Sequence, residues 1–264
     1  MNTTTDSQDA VNARVYHHAD IEQKYRARTL MRFEAAAMLK YQPAFAQKDV
    51  LDIGVGTGRT SIYLAPLARR YEGVDYSPVM IRGMRAAMPE VSVRLADMRD
   101  LSDFEDASFD FVFAPNNVID AVGHDDRLRV LREFHRLLRA AGMLMFSSHN
   151  RQYEDALGGP KLELSLNPIH ELVLVVDWLR QMANHQRVKR LRAFEADYAL
   201  LNDEGHGYAC LHYYIGQTQQ RQQLAAQGYE VLDVFDHEGH SLALDAAATR
   251  SAQLMYVTRR AELH

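Results

Sequence analysis

The sequence predicts an α/β protein built on a doubly wound, mostly parallel sheet of seven strands, with a helical insertion ahead of the last two. Three observations carry that expectation. Between residues 50 and 150, short apolar runs alternate with stretches of helical periodicity. The runs end at glycine, aspartate or asparagine, where a chain leaves a parallel strand for its crossover helix. From 151 to 215 the pattern turns helical, and a further helix and two strand-like runs then close the chain.

The elements follow in order. Val50 to Ile53 is a buried-strand pattern that breaks at once into Gly54, Gly56 and Gly58. A helix with Ile62, Leu64 and Leu67 should then run to about Arg70, bent or shortened by Pro66. Tyr71 to Val74 is the second strand, ending at Asp75, and Ser77-Pro78 starts a helix with serine at the cap and proline in the first turn. That helix carries Met80, Ile81, Met84 and Met88, a stripe read as core packing. Val91 to Leu95 and Phe109 to Ala114 are the third and fourth strands. Asp125 to Ala140 repeats apolar Leu128, Leu131, Phe134, Leu137 and Leu138 on one face, with Gly142 as its C-terminal cap. Met143 to Ser148 is the fifth strand, followed by His149-Asn150. The helix from Gln217 to Gln227 ends at Gly228, and YEVLDVF and AQLMYVT are the closing strands.

Composition narrows the class. The chain has 264 residues, 47% hydrophobic and 25% charged, enough for a sizeable core and ordinary for a globular protein. The opening MNTTTDSQDA has no apolar core of a signal peptide, and the cluster Leu172 to Leu179 is too short to span a bilayer, so a cytoplasmic location is expected. A net charge of −5 supplies no overall basic field for nucleic acid or anionic membrane. Cys210 is the lone cysteine, which excludes an intramolecular disulfide and a cysteine-rich zinc site and is read as a small buried apolar residue.

The triple glycine matches no phosphate fingerprint. A dinucleotide site needs G-x-G-x-x-G, and here Arg59 stands where the third glycine belongs. A P-loop needs Gly-Lys-Ser/Thr, which does not follow. What remains is D-x-G-x-G-x-G. Bare backbone there lets a flat, uncharged ligand approach closely, and Asp52 just before it offers acceptors to a cation.

At this point the chain resembles the class I S-adenosylmethionine-dependent methyltransferases. The resemblance rests on VLDIGVGTGRT, GVDYS, LADMRDL, FDFVFAPNN and LRVLREFHRLLRAAGMLMFSSHN in the family's order over about 49–150, and more weakly on 216–260. It implies S-adenosylmethionine as cofactor and an antiparallel last strand. It implies a core of residues 45–150 and 216–264, a lid segment at 1–44 and an acceptor cap at 151–215. Asp75 should accept hydrogen bonds from the ribose hydroxyls, Asp97 should take the adenine amine, and Met98 and Tyr76 should flank the ring. Gly54, Gly56 and Gly58 should lie against the cofactor, Asp52 should orient its methionyl ammonium through water, and Asn116 should bound the cofactor site. Asn117, His149, Asn150 and Tyr214 are expected on the acceptor side.

Methyl transfer is an in-line displacement, so the protein must align nucleophile, carbon and sulfur and keep water out. A base helps when the acceptor carries a proton to lose, and His149, at the carboxyl edge of the fifth strand, is the candidate catalytic residue. His206 and His212, with Tyr213 and Tyr214, form a second cluster, and whichever tyrosine alternates inward should serve packing. Tyr16, His17, His18 and Tyr25 precede the core in a helical pattern that reads first as an exposed amphipathic helix, while the resemblance implies a lid folded over the cofactor as the other reading. The fourth strand ends in APNN without the Asn/Asp-Pro-Pro-aromatic signature of base-amine methylases, and the basic HQRVKRLR reads as a solvated helix face. A magnesium site from His149, Asn150, Asn116 and Asp120 would be a poor hard-oxygen set, so no metal is assigned. A small-molecule O- or N-methyltransferase is the leading expectation. A protein or RNA methyltransferase, a non-catalytic cofactor-binding regulator and a nicotinamide oxidoreductase are the competing ones, and the oligomeric state is left open.

Overall fold

The computed structural model describes residues 29–261 together with Gln8, Ala10, Val11, Asn12 and Val15. After helix α1 (Arg32–Lys40), the chain runs β1 (Asp49–Ile53), α2 (Ser61–Leu64), β2 (Arg70–Asp75), α3 (Pro78–Ala87), β3 (Val93–Leu95) and β4 (Phe109–Ala114). It continues through α4 (His124–Leu137), β5 (Leu138–Asn150), α5 (Pro168–Lys189), β6 (Ala193–Phe194), β7 (Tyr198–Leu201) and β8 (His212–Ile215). Helix α6 (Gln217–Ala226) and the strands β9 (Tyr229–Phe235) and β10 (Gln253–Arg260) complete it.

Parallel pairing in the order β3-β2-β1-β4-β5 places the ends of β1, β2 and β4 along one edge. Both faces of these strands are covered, so alternate residues enter two different cores. On β1 and β4, Leu51, Ile53, Val112 and Ala114 pack with Leu131 and Phe134 of α4, while Val50, Phe111 and Phe113 pack with Phe33 and Ala37 of α1. The antiparallel closing strand is β10, which pairs with β5 on one side and β9 on the other.

The sheet has ten strands rather than seven. The additional ones are β6, β7 and β8, in the stretch expected to be mostly helical. Runs as short as YALL and HYYI cannot show a period, and HYYI is buried on both sides, so neither alternation nor helical spacing marks it as a strand. Their placement matters for the site. His149 and Asn150 pair with Tyr214 and Ile215 on one edge of β5 while His149 faces Gln253 of β10 on the other. Strand β8 therefore takes the edge that β4 has left, and brings its side chains over the sheet's carboxyl end.

Three boundaries differ from expectation. Helix α2 covers only Ser61–Leu64, the turn before Pro66. The third strand starts at Val93 instead of Val91. Gly142 is not a helix cap, because α4 ends at Leu137 and the positive φ falls on Ala141 at +59°. Gly142 lies within β5, where a Cβ would stand 2.9 Å from the Arg139 carbonyl oxygen and 3.2 Å from that of Asp110. Close backbone approach, not capping, calls for glycine there.

Candidate functional site

Beyond β1 the chain makes a tight reversal in which Gly54, Gly56 and Gly58 have φ of +68°, +54° and +92°. Side chains rarely adopt these values, and at two of the three there is no room for one. A Cβ on Gly54 would stand 2.6 Å from Val118, and one on Gly58 2.6 Å from the Met84 sulfur. Gly56 has nothing within 4 Å, so its bare backbone faces open space. That space is a cavity of about 410 Å³ at the carboxyl ends of β1, β2 and β4. Gly54, Gly56, Asp75, Tyr76, Asp97, Met98 and Asn116 all lie on its wall.

Asp75 is held by the turn it faces. Its Oδ2 accepts from the Gly56 amide at 2.9 Å and its Oδ1 from the Ser77 amide at 2.8 Å, so each oxygen keeps acceptor capacity for a ligand. Burial raises its pKa, with the two amide bonds opposing that shift. Asp97 is fixed differently: the Arg99 guanidinium grips both its oxygens and also meets Asp126 at 3.0 Å. Burial would raise the Asp97 carboxyl, but the hydrogen bonds and charge of Arg99 hold it below its ordinary value.

Asp52 and Gly58 do not reach the wall. Asp52 is completely buried beneath the turn, where its Oδ2 accepts from Tyr71 at 2.8 Å, Thr60 at 2.9 Å and Ser61 at 3.4 Å. Burial pushes its pKa up to about 6, against the pull of those hydroxyls and of Arg59. Its Oδ1 has no hydrogen-bond partner among the described residues. Asp52 thus tensions the glycine turn from below, and any contact with a bound cation must pass through that turn.

Sequence reading missed Arg59, Asn12 and Pro115 on the same wall. In the sequence Arg59 marks only the absence of the third glycine. Its guanidinium binds the buried Glu34 of α1 at 2.7 Å, tying that helix to the turn. Asn12 donates to the carbonyls of Ala121 and Leu211, both at 2.8 Å, and so joins the N-terminal segment to the rim. Tyr16, His17, His18 and Tyr25 lie outside the described residues.

After β4, Asn116 and Asn117 are both left-handed, with φ of +53° and +55°. Asparagine tolerates this conformation better than other side-chain-bearing residues. The two point to different places. Asn116 lines the first cavity, while Asn117 donates to Gln253 Oε1 at 2.6 Å and stands 3.2 Å from His149 Nε2. His149 and Gln253 belong to a second cavity, of about 650 Å³, whose walls include Tyr153, Trp178, Asp203 and Tyr214. The tandem asparagines therefore form the partition between two adjoining spaces.

The His149 imidazole is oriented from behind. Its Nδ1 lies 2.8 Å from Asp120 Oδ2, and its backbone amide donates to the same oxygen at 2.6 Å. Asp120 is fully buried and ion-paired with Arg127, itself fully buried and bonded to Gln220 at 2.6 Å. Burial alone would raise the Asp120 carboxyl, but the Arg127 charge and the His149 bonds hold it below its ordinary value. An ionised Asp120 keeps the proton on Nδ1 and leaves Nε2 as an acceptor toward the cavity.

A second carboxylate faces the first histidine. Asp203 Oδ2 accepts from Tyr214 at 2.6 Å and from His212 Nδ1 at 2.9 Å, and sits 3.6 Å from His149 Nε2. The His149 ring stacks against His212 at 4.9 Å and Tyr214 at 4.8 Å. Burial opposes ionisation of Asp203, yet His212 and the Tyr214 hydroxyl hold its carboxyl far below the usual range. Tyr213, one residue away, is turned inward and fully buried under the Arg127 guanidinium. Asp203 gave no sequence signal, being an acid in a glycine-containing turn.

Asn150 departs from the acceptor-side expectation. Its amide donates to the carbonyls of Ala248 and Ser251 at 2.8 and 3.0 Å, and its Oδ1 accepts from Gln152, so it lines neither cavity and closes a loop instead. The magnesium set weighed from sequence does not assemble, since Asn116 and Asn150 face different surroundings. Two other sets bring ligand atoms within 4.8 Å among the described residues: His149, Asp203 and His212, and His206, Cys210 and His212. In the first, Asp203 already answers His212 and Tyr214 by hydrogen bonds. In the basic stretch, His185 and Val188 are buried, Arg187 and Lys189 are exposed, and Arg192 bonds Asn202 at 2.8 Å.

Residues 50–142 match a family model described as a methyltransferase domain. A Mycobacterium tuberculosis protein named as a probable S-adenosylmethionine-dependent methyltransferase is 33% identical over 140 residues, 53% of this chain and 48% of that one. A protein of the same description from Mycolicibacterium smegmatis is 33% identical over 125 residues, 47% of this chain and 46% of that one. The chain spans about half the length of the curated relatives it matches. Among solved structures, the CcbJ methyltransferase of Streptomyces caelestis superposes with a TM-score of 0.63 at 20% identity, covering 94% of this chain and 98% of that one. A Burkholderia thailandensis 1,6-didemethyltoxoflavin-N1-methyltransferase, solved with 1,6-didemethyltoxoflavin and S-adenosylhomocysteine, gives 0.58 at 15% identity over 96% and 87% of the two chains. These likenesses establish the fold.

Proposed function

We propose that this chain is a class I S-adenosylmethionine-dependent methyltransferase, a reading supported by the methyltransferase-domain match over residues 50–142 and the 33% identity to the mycobacterial relatives, and that it moves the sulfonium methyl to an oxygen or nitrogen atom of a small-molecule acceptor by in-line displacement. The observation that carries the proposal is Asp75, whose two oxygens are each anchored by one backbone amide beside the open backbone of Gly56. A carboxylate so fixed suits two vicinal ribose hydroxyls, and the uncovered glycine suits a chain-thin methionyl group. Asp52 Oδ1 beneath the turn supplies a buried negative partner for the ammonium end, through the backbone above it.

When bound, S-adenosylmethionine supplies a methyl already activated by positive sulfur. The chain's own residues do the rest. Asp75, Asp97, Met98 and Tyr76 hold and orient the nucleoside from the cavity wall, and Asn116 bounds it on the acceptor side. His149 Nε2 takes the acceptor's proton, with Asp120 fixing its tautomer and Asn117 its angle. Tyr214 and Asp203 shape the acceptor side of the second cavity. In this reading residues 45–150 and 216–264 are the cofactor-binding core, with α1 packed on its sheet, the segment ahead of α1 a lid and 151–215 the acceptor cap. No helix among the described residues is long and apolar enough to cross a membrane.

The reading is tested by calorimetry with S-adenosylhomocysteine followed by a panel of hydroxyl and amine acceptors scored by mass shift. Product bearing one added methyl is expected from a small molecule. Binding without turnover on any small acceptor, but with methylation of protein or RNA in a lysate, would replace that part of the proposal.

A further inference from the structure

The two cavities differ in charge. The wall of the first sets Asp75 and Asp97 against Arg59 and Arg99, so its carboxylates and guanidiniums balance. The wall of the second carries the carboxylates of Asp155, Glu163, Asp177, Asp203 and Glu204 against a single ammonium, that of Lys161. Lys161 is committed to Asp155 at 3.0 Å. Asp203 has its own counterion: burial opposes a charge on His212, yet the carboxylate 2.9 Å away raises the imidazole's pKa. Asp177 accepts from Gln181 at 2.8 Å, a neutral amide that leaves its charge unanswered. Among the described residues, Glu163, Asp177 and Glu204 form no ion pair. All three belong to the cap.

The arrangement of these acids says what they answer. Among the described residues, the sets of ligand atoms that gather within 4.8 Å of one another include Asp203 but not Glu163, Asp177 or Glu204. Acids spread around a wall offer a metal ion no common point of coordination. They put a negative field across the space instead, which draws in an organic cation. The rest of the wall suits such a cation. Trp178, held by its Nε1–H on the Pro160 carbonyl at 3.3 Å, lines the cavity with Tyr153, Tyr208 and Tyr214, and aromatic faces attract an ammonium while packing on an apolar body. A volume of about 650 Å³ is of the size that takes a small organic molecule. We infer that the acceptor is a small amine, positively charged at neutral pH and built on an apolar or aromatic body, whose ammonium lies against the cap carboxylates while the atom to be methylated lies at His149. The inference rests on reading the second cavity as the acceptor site. A neutral acceptor would leave the three carboxylates unanswered, and an anionic one would add to their charge.

Matched probes of one size and three charges test it. Phenethylamine, phenethyl alcohol and hydrocinnamate are titrated into the full chain, with and without S-adenosylhomocysteine, and binding is read by saturation-transfer NMR. The amine is expected to bind at least about tenfold tighter than the alcohol or the carboxylate, the sum of a few exposed charge contacts. That preference should shrink as sodium chloride is raised from about 20 mM to about 300 mM. The triple variant Glu163→Gln, Asp177→Asn, Glu204→Gln should abolish it, with circular dichroism and S-adenosylhomocysteine affinity unchanged. An alcohol or carboxylate that binds as tightly as the amine, no saturable binding of the amine, or a preference that survives the triple substitution overturns the inference. Displacement of the amine by calcium or magnesium chloride at equal ionic strength overturns it too, by assigning the carboxylates to a metal ion. Titration with S-adenosylhomocysteine alone keeps the two questions apart: silence there sinks the methyltransferase reading, while the amine series still decides what charge this cavity selects.

Discussion

The carboxylate of Asp120 and the imidazole of His149 are joined twice through one oxygen, by ring Nδ1 at 2.8 Å and by the backbone amide at 2.6 Å. The second bond fixes where the residue sits and the first fixes which nitrogen faces the cavity. Replacing His149→Ala should therefore lower kcat by roughly 10²-fold or more on an acceptor that must lose a proton. Affinity for S-adenosylhomocysteine should change by less than about twofold, since His149 is absent from the wall of the first cavity. Steady-state kinetics with calorimetry separates the two. Unchanged turnover would remove His149 from the reaction.

Asp120 also neutralises Arg127, and both side chains are fully buried. Removing one charge of a buried pair leaves the other uncompensated, a penalty of about 3–5 kcal/mol. Asp120→Ala should accordingly lose that much in urea-induced unfolding. A loss below about 1 kcal/mol would mean that Arg127 finds other partners in the fold.

Asp75→Ala should weaken S-adenosylhomocysteine binding by about 1.5–3 kcal/mol, the scale of charge-assisted hydrogen bonds. The turn should survive, because Gly54 and Val55 still donate to the Val74 carbonyl at 2.8 and 3.2 Å. Unaltered affinity in the variant would take the ribose away from Asp75.

Asp52 makes stability depend on pH. Its pKa in the folded chain is raised to about 6, so its contribution is fully present below the ordinary carboxylate value and is lost as pH rises through about 6. A rise of that size corresponds to about 3 kcal/mol, roughly half of it lost between pH 5 and pH 8. Wild-type stability relative to Asp52→Asn should therefore fall by about 1 kcal/mol across that interval. Parallel stability curves for the two chains would contradict the buried, raised carboxyl.

Gly58→Ala places a side chain at φ +92° and its Cβ 2.6 Å from the Met84 sulfur. The backbone strain alone is worth about 1–3 kcal/mol. Chemical denaturation should register it, while Gly56→Ala, where there is room, should pay only the strain.

How much of this was visible beforehand follows from distance along the chain. The glycine turn and Asp75 were legible because strand, turn and acid lie within a few residues and their order has a mechanical meaning. So were the inward face of α3 and, on α4, Leu131, Phe134 and Leu137, whereas Leu128 is only half-buried, Leu138 belongs to β5, and Arg127 and Val130 complete the buried face. The partners of His149 were not. Asp203, Gln253 and His212 reach it from 54, 104 and 63 residues away, through strand pairings that local patterns do not encode. Asn150 failed for the complementary reason: its place at a strand end suggested the site, and only the carbonyls of Ala248 and Ser251 show it is used elsewhere. Gly142 was correctly seen as special but for the wrong neighbour.

The most direct measurement is isothermal titration of the wild-type chain and Asp75→Ala with S-adenosylhomocysteine and, separately, with NAD. The account predicts saturable heat with the sulfur nucleoside, weakened at least about tenfold by the substitution, and none with the dinucleotide. Saturable binding of NAD together with silence toward S-adenosylhomocysteine would contradict it.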